Sequence, residues 1–180
     1  MKYYTLALNI MLLFLVGLTN AYCDFIRTNA ITPESTLPLS IEFGDTYSLT
    51  QIVDGVTDDS LPFNGFVSSE KTGTITLIFT SEYSIDSFLI WNDVNVSAEG
   101  VRTIKLVFIG ANDSVIYESQ VYNIESKLEA QEFVFDNKIE GVIKVNLIVL
   151  SSASRIEIRE IEFRGFSRIG LYVLVFLKKH

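Results

Sequence analysis

The segment G-T-I-T-L-I-F-T, residues 73–80, decides the fold class. Ile75, Leu77 and Phe79 alternate with Thr74, Thr76 and Thr80. A period of two places one set of side chains inside and the other outside, which is the pattern of a half-buried β-strand. Working outward, similar runs recur: S-I-D-S-F-L-I-W (84–91), V-R-T-I-K-L-V-F-I (101–109), S-V-I-Y-E-S-Q-V-Y (114–122), Q-E-F-V-F (131–135), G-V-I-K-V-N-L-I-V-L (141–150) and R-I-E-I-R-E-I-E-F (155–163). Turn-forming residues separate them, in N-D-V-N-V-S-A-E-G, G-A-N-D-S, D-N-K-I-E-G and S-S-A-S. Only I-E-S-K-L-E-A-Q (124–131) suggests a helical turn. Short strands at regular spacing predict an all-β, antiparallel sandwich or barrel.

The 180 residues are 48% hydrophobic and contain three prolines, which suits one globular domain with processing segments. Lys2, an apolar L-A-L-N-I-M-L-L-F-L-V-G-L run and T-N-A form the layout of a secretory signal peptide over residues 1–21, with cleavage expected after Ala21. Removing that segment takes away Lys2 and no acid, so the net charge moves from −8 to −9. Such a chain is a poor partner for nucleic acid and is expected to be secreted or otherwise extracytoplasmic.

Cys23 is the only cysteine, so no internal disulfide can form. Lipidation at Cys23 is disfavoured by Tyr22, which stands where a small side chain is wanted. Residues 22–44, with Pro33 and Pro38, read as a leader. The tail 166–180 carries an apolar run from Ile169 to Leu177 and the basic end Lys178, Lys179 and His180. That run is far shorter than the ~20 residues a membrane-spanning helix needs. It is open as a final strand, a membrane-contacting tail or a sorting signal.

The sole histidine is the last residue, and no G-x-S-x-G or phosphate-binding glycine loop occurs. Histidine-dependent triads and histidine-containing zinc sites are therefore set aside. Carboxylate pairs remain, and Glu160 with Glu162 would be the acids of a small hydrolase. Glu157 and Glu162 are expected to form a charged outer face.

Glu160 stands apart. Ile156 and Ile158 set one phase of alternation and Ile161 and Phe163 the opposite one, so the pattern slips between them. Either a β-bulge re-aims the chain or Glu160 points inward. A carboxylate in an apolar interior needs a hydrogen-bonding, ionic or metal partner. The turn Asp54-Gly55-Val56-Thr57-Asp58-Asp59 offers oxygen donors for a hard cation, although its spacing is also that of an ordinary acidic turn.

Taken in order, I-V-D-G-V-T-D-D-S-L-P-F-N-G-F, G-T-I-T-L-I-F-T-S-E-Y-S-I-D-S-F-L-I-W-N-D, G-V-R-T-I-K-L-V-F-I-G-A-N-D-S-V-I-Y-E-S and R-I-E-I-R-E-I-E-F-R-G resemble the galactose-binding-like, or discoidin (coagulation factor V/VIII type C), domain family over residues 45–165. The resemblance implies an eight-stranded antiparallel jelly-roll β-sandwich. It also implies a structural Ca²⁺ between the Asp-Gly loop and the closing strand, held by Asp54, Asp58 or Asp59, and Glu160, with Thr57 and loop carbonyls assisting.

The same resemblance implies that sugars are met by loops at one end of the sandwich, here by Phe63, Asn64, Phe66, Asn92, Asp93 and Asn95. Trp91 shares the phase of Ile85 and Leu89 and is expected to be buried. Asn95 and Asn112 lie in N-x-S sequons. The chain is thus expected to be a non-catalytic binding module for a glycan or other cell-surface ligand. The alternative is an envelope structural or adhesion protein contacting other proteins.

Overall fold

The computed structural model describes residues 24–26, 28–39, 47–58, 64–93 and 99–167. The signal peptide, Cys23, the tail beyond residue 167, and Asp59, Phe63 and Asn95 lie outside the described residues. Nine strands are described: β1 (Asp24–Phe25), β2 (Ile31–Ser35), β3 (Phe66–Ser68), β4 (Gly73–Asn92), β5 (Val101–Ile109), β6 (Val115–Glu118), β7 (Tyr122–Asn123), β8 (Gln131–Ser152) and β9 (Ile156–Ser167). Every pairing is antiparallel. The all-β sandwich expected from the alternation is the observed architecture; no described helix is long and apolar enough to cross a membrane.

Two strands serve both layers. The first part of β4 pairs with β2 and with the end of β8, as in Ile75 opposite Ser35 and Leu147. Its second part pairs with β9 and with the start of β8, as in Phe88 opposite Phe163 and Phe133. Register shifts at Tyr83, Ile85 and Ser87 bend the strand between these two sets of partners. β5 extends the first layer, with β6 and β7 along its far edge. β1 and β3 pair with β9 and extend the second.

This geometry corrects two readings. The runs at 73–80 and 84–91 belong to one twenty-residue strand, and those at 131–135 and 141–150 to one of twenty-two. The polar D-N-K-I-E-G stretch looked like a loop because Asp136, Asn137, Lys138 and Glu140 are the exposed positions of a bent strand, while Ile139 between them is buried. The 124–131 stretch forms bends and no helix.

The leader is corrected too. β1 and β2 are sheet members, and Ile26, Ala30 and Ile31 are buried in the core, so the domain includes residues assigned to 22–44. Pro33 is tolerated because β2 has a single partner strand, leaving its other side free of ladder bonds. Between the layers lies one aliphatic and aromatic core, including Ile75, Leu77, Phe88, Ile104, Phe108, Leu147, Ile158 and Phe163. Fully burying each such side chain contributes roughly 1.5–3 kcal/mol.

Candidate functional site

β9 is where the fold turns toward chemistry. Asn92 of β4 sits opposite Ile158 and Trp91 opposite Glu160, with a register shift between the two pairs. Arg159 is the extra residue, so the phase slip read in the sequence is a β-bulge. Ile158 and Ile161 both remain in the core, and Arg159 and Glu160 are both buried.

Glu160 has no exposure, and neither of its carboxylate oxygens has a hydrogen-bond partner among the described residues. The turn that follows the 3₁₀ helix Leu49–Val53 lies against it. That helix is anchored by buried Ile52 and Val53 and ends at Asp54. Gly55 then takes φ +83°, a left-handed conformation that favours glycine. The Gly55 and Asp54 amides approach Glu160 and pull its pKa down without closing a hydrogen bond of normal geometry. Desolvation dominates, reinforced by the charges of Asp54 and Glu162, and the carboxyl is pushed up to about 8.

Asp54 is exposed and folds its own loop. Its Oδ1 accepts the Val56 amide at 2.9 Å, and Asn64 Nδ2 donates to Oδ1 and Oδ2 at 3.3 and 3.1 Å. Asn64 Oδ1 in turn accepts Gln51 Nε2 at 2.9 Å. Asn64 was expected to face a ligand; it instead ties the Asp-Gly turn to the 3₁₀ helix. Thr57 is half-buried and Asp58 exposed.

Arg159, which the sequence reading did not single out, is 1% exposed. Its guanidinium donates to the carbonyls of Asn92 at 3.3 Å and Thr57 at 3.2 Å, and also to Leu128. One buried cation thus gathers three separate loops. Its signal in the sequence was the slip itself, since a long polar side chain at a bulge between Ile158 and Ile161 must be buried or extruded.

Other ligand-facing expectations are corrected by burial. Phe66 has no exposure and packs in the core, so it cannot stack on a sugar. Asn92 is also fully buried: Nδ2 donates to the Val101 carbonyl at 2.9 Å, and Oδ1 accepts the Val101 amide at 2.9 Å. It closes the β4–β5 connection. Asp93 is 4% exposed. Trp91 is half-buried rather than buried, while Leu89 on the same phase is buried. Glu157, expected on a charged outer face, is 2% exposed, and Glu162 is half-buried.

A cleft of about 490 Å³ opens between β6–β7 and the start of β8. Tyr117, Tyr122 and Phe133 line it beside Gln120, Glu132 and Asp136. Tyr122 and Phe133 are 4.5 Å apart between ring centroids. Burial and the charges of Tyr117 and Asp136 raise the Tyr122 pKa, so its hydroxyl keeps its proton.

The β-sandwich these strands build is shared with solved family 32 carbohydrate-binding and F5/8 type C domains. The Clostridium perfringens domain CpGH89CBM32-5, in complex with GalNAc-β-1,3-galactose, superposes with a TM-score of 0.63 at 13% identity, over 78% of this chain and 99% of that one. An F5/8 type C domain from Bacteroides fragilis gives 0.62 at 10%, over 80% and 97%. A fucolectin from Morone saxatilis (striped bass) serum gives 0.63 at 12%, over 80% of this chain and 50% of that chain. No family profile and no curated protein matches the sequence.

Proposed function

We propose that the chain is an exported, non-catalytic carbohydrate-binding module whose ligand end is braced by calcium. The observation that carries the metal is the Glu160 carboxylate, buried with both oxygens unpartnered directly against the Asp54–Gly55 turn. Leaving such a group bare costs several kcal/mol, and a cation with oxygen preference removes that cost. Asp54, Asp58 or Asp59, and Glu160 would supply carboxylate oxygens, with Thr57 and loop carbonyls completing the shell. Calcium would supply fixed positive charge there and no reaction chemistry.

The sugar reading is supported by the shared fold with a domain solved on GalNAc-β-1,3-galactose. With Phe66, Asn92 and Asp93 buried and Asn64 committed to its loop, Phe63 and Asn95 are the residues of the expected set that remain candidates for the ligand. The cleft of Tyr117, Tyr122 and Phe133 favours a second location, because tyrosine rings beside amide and acid groups can stack on a sugar face and hydrogen-bond its hydroxyls.

A glycan array run with calcium and with chelator tests both. Binding to galactose-containing glycans is expected, weakened by chelator and by Phe63→Ala if the end loops carry it. Loss on Tyr117→Ala with Phe63→Ala unaffected would move the site to the cleft. No binding to any glycan at high protein concentration would end the carbohydrate reading. Chelator that leaves the thermal midpoint unchanged would end the calcium reading, because an ion bound only to the folded state must stabilise it.

A further inference from the structure

A second group of acids lies apart from the Asp54–Glu160 pair. One carboxylate oxygen each from Asp93, Glu99 and Glu157 lie within 4.8 Å of one another. They arrive from the end of β4, the approach to β5 and the start of β9. Their convergence is set by contacts around the β4–β5 connection. The Asn92 side chain bridges both backbone groups of Val101. Gly100, at φ +81°, comes so near that an added Cβ would sit 2.0 Å from the Asp93 carbonyl oxygen. Only glycine fits there, and the pinch brings Asp93 and Glu99 across from each other.

The Ala153 amide donates to the Gly100 carbonyl at 3.0 Å, which holds the loop before β9 beside the same pinch. Arg155 from that loop donates Nη2 to Glu99 Oε1 at 3.2 Å and Nε to Glu157 Oε1. Glu157 is 2% exposed, and its second oxygen, Oε2, is buried with no hydrogen-bond partner among the described residues. Arg155 pairs with Glu99 and Glu157 of this group, and the second, buried oxygen of Glu157 still calls for a positive neighbour. The donors are all oxygen, the set that suits calcium, magnesium or manganese.

We propose that Asp93, Glu99 and Glu157 form a second divalent-cation site, with Arg155 retained on one oxygen of Glu99 and one of Glu157. The remaining ligands are water and backbone carbonyls. Occupancy ties the β4–β5 connection to the first residues of β9. Desolvation is the largest influence on the Glu157 carboxyl, raising its pKa to about 7 against the pull of Arg155.

Calcium titration by calorimetry of the chelator-treated chain tests the assignment. Glu160→Gln is expected to remove one class of binding and leave another. In that background, Glu99→Gln, at a half-buried position, is expected to weaken the remaining binding by roughly 10- to 100-fold or more. Glu157→Gln keeps the shape of the buried side chain and is read the same way, so a fold lost in one variant leaves the other decisive. Calcium binding abolished by Glu160→Gln alone would overturn the proposal. So would binding that persists unchanged through both Glu99→Gln and Glu157→Gln. Binding insensitive to Glu160→Gln but lost in Glu99→Gln would support this site while removing the Glu160 one.

Discussion

The two halves of β9 use the same residue types to opposite ends. From Ile161 to Ser167 the strand alternates in the ordinary way: Ile161 and Phe163 enter the core, while Glu162 and Arg164 stay half-buried on the other face. From Ile156 to Glu160 every residue is buried, including Glu157, Arg159 and Glu160. The second half keeps its charges half-buried, with Arg164 beside Glu132 and over the Phe25 ring. The first half carries charge into the interior, where each ion must find a partner. Arg159 finds three carbonyls, Glu157 half-satisfies itself on Arg155, and Glu160 finds none among the described residues. That gradient of satisfaction separates a scaffold residue from the two carboxylates for which cations are proposed.

The strongest way to break this contrast is to remove the satisfied ion. Arg159→Ala would leave the carbonyls of Asn92, Thr57 and Leu128 without their donor and open a cavity where a long side chain was packed. A loss of about 3–5 kcal/mol is expected, read as a lowered urea midpoint with an unchanged slope. A loss below about 1 kcal/mol would mean that the loops are held by other contacts, and that both halves of β9 are ordinary strand.

The unsatisfied ion is tested by pH. The Glu160 carboxyl has a folded pKa of about 8 against an ordinary value of 4.5, so the folded chain holds that proton more tightly than the unfolded chain. Stability from this group is fully present below 4.5 and is lost as pH rises through about 8. In chelator, the thermal midpoint is therefore expected to fall between pH 5 and 8. Glu160→Gln should reduce that fall, leaving the part contributed by the raised Glu157 carboxyl, and raise the midpoint at pH 8. With calcium, the wild-type chain should recover by about 2.7 kcal/mol when the free ion is about 100 times its Kd, and Glu160→Gln should lose the gain that this site supplies. A wild-type midpoint flat with pH in chelator would show that the carboxylate is solvated in solution.

Much of this was legible from residue order. Period-two runs gave the all-β class because alternation is a local property of a half-buried strand. The slip between Ile158 and Ile161 located the bulge, and with it the need of Glu160 for a partner. What failed was long-range. Nothing local distinguishes a turn from a bend within a continuous strand, so β4 and β8 were each read as two. Burial of Glu157 was hidden because an acid beside an isoleucine looks like an outer face until β3 pairs along it, Val67 opposite Glu157. Phe66 and Asn92 were read as ligand-facing because aromatic and amide groups near loops serve either recognition or packing. Only the third dimension assigns them.

The smallest expected effect is the control on the same strand. Glu162 lies two residues beyond Glu160 and its carboxyl is also raised by desolvation, but Arg164 lowers it again and the side chain is only half-buried. In the register it stands opposite Leu89. Glu162→Gln removes a charge that water already reaches, so stability should change by no more than about 0.5 kcal/mol. Its charge also contributes to raising Glu160, so the substitution should make Glu160 slightly easier to ionise. The fall of the midpoint in chelator should then begin at marginally lower pH, with the calcium response kept. If Glu162→Gln instead abolished the calcium response as fully as Glu160→Gln, both carboxylates would belong to one site. The boundary between the two halves of β9 would then lie beyond Glu162, not at Ile161.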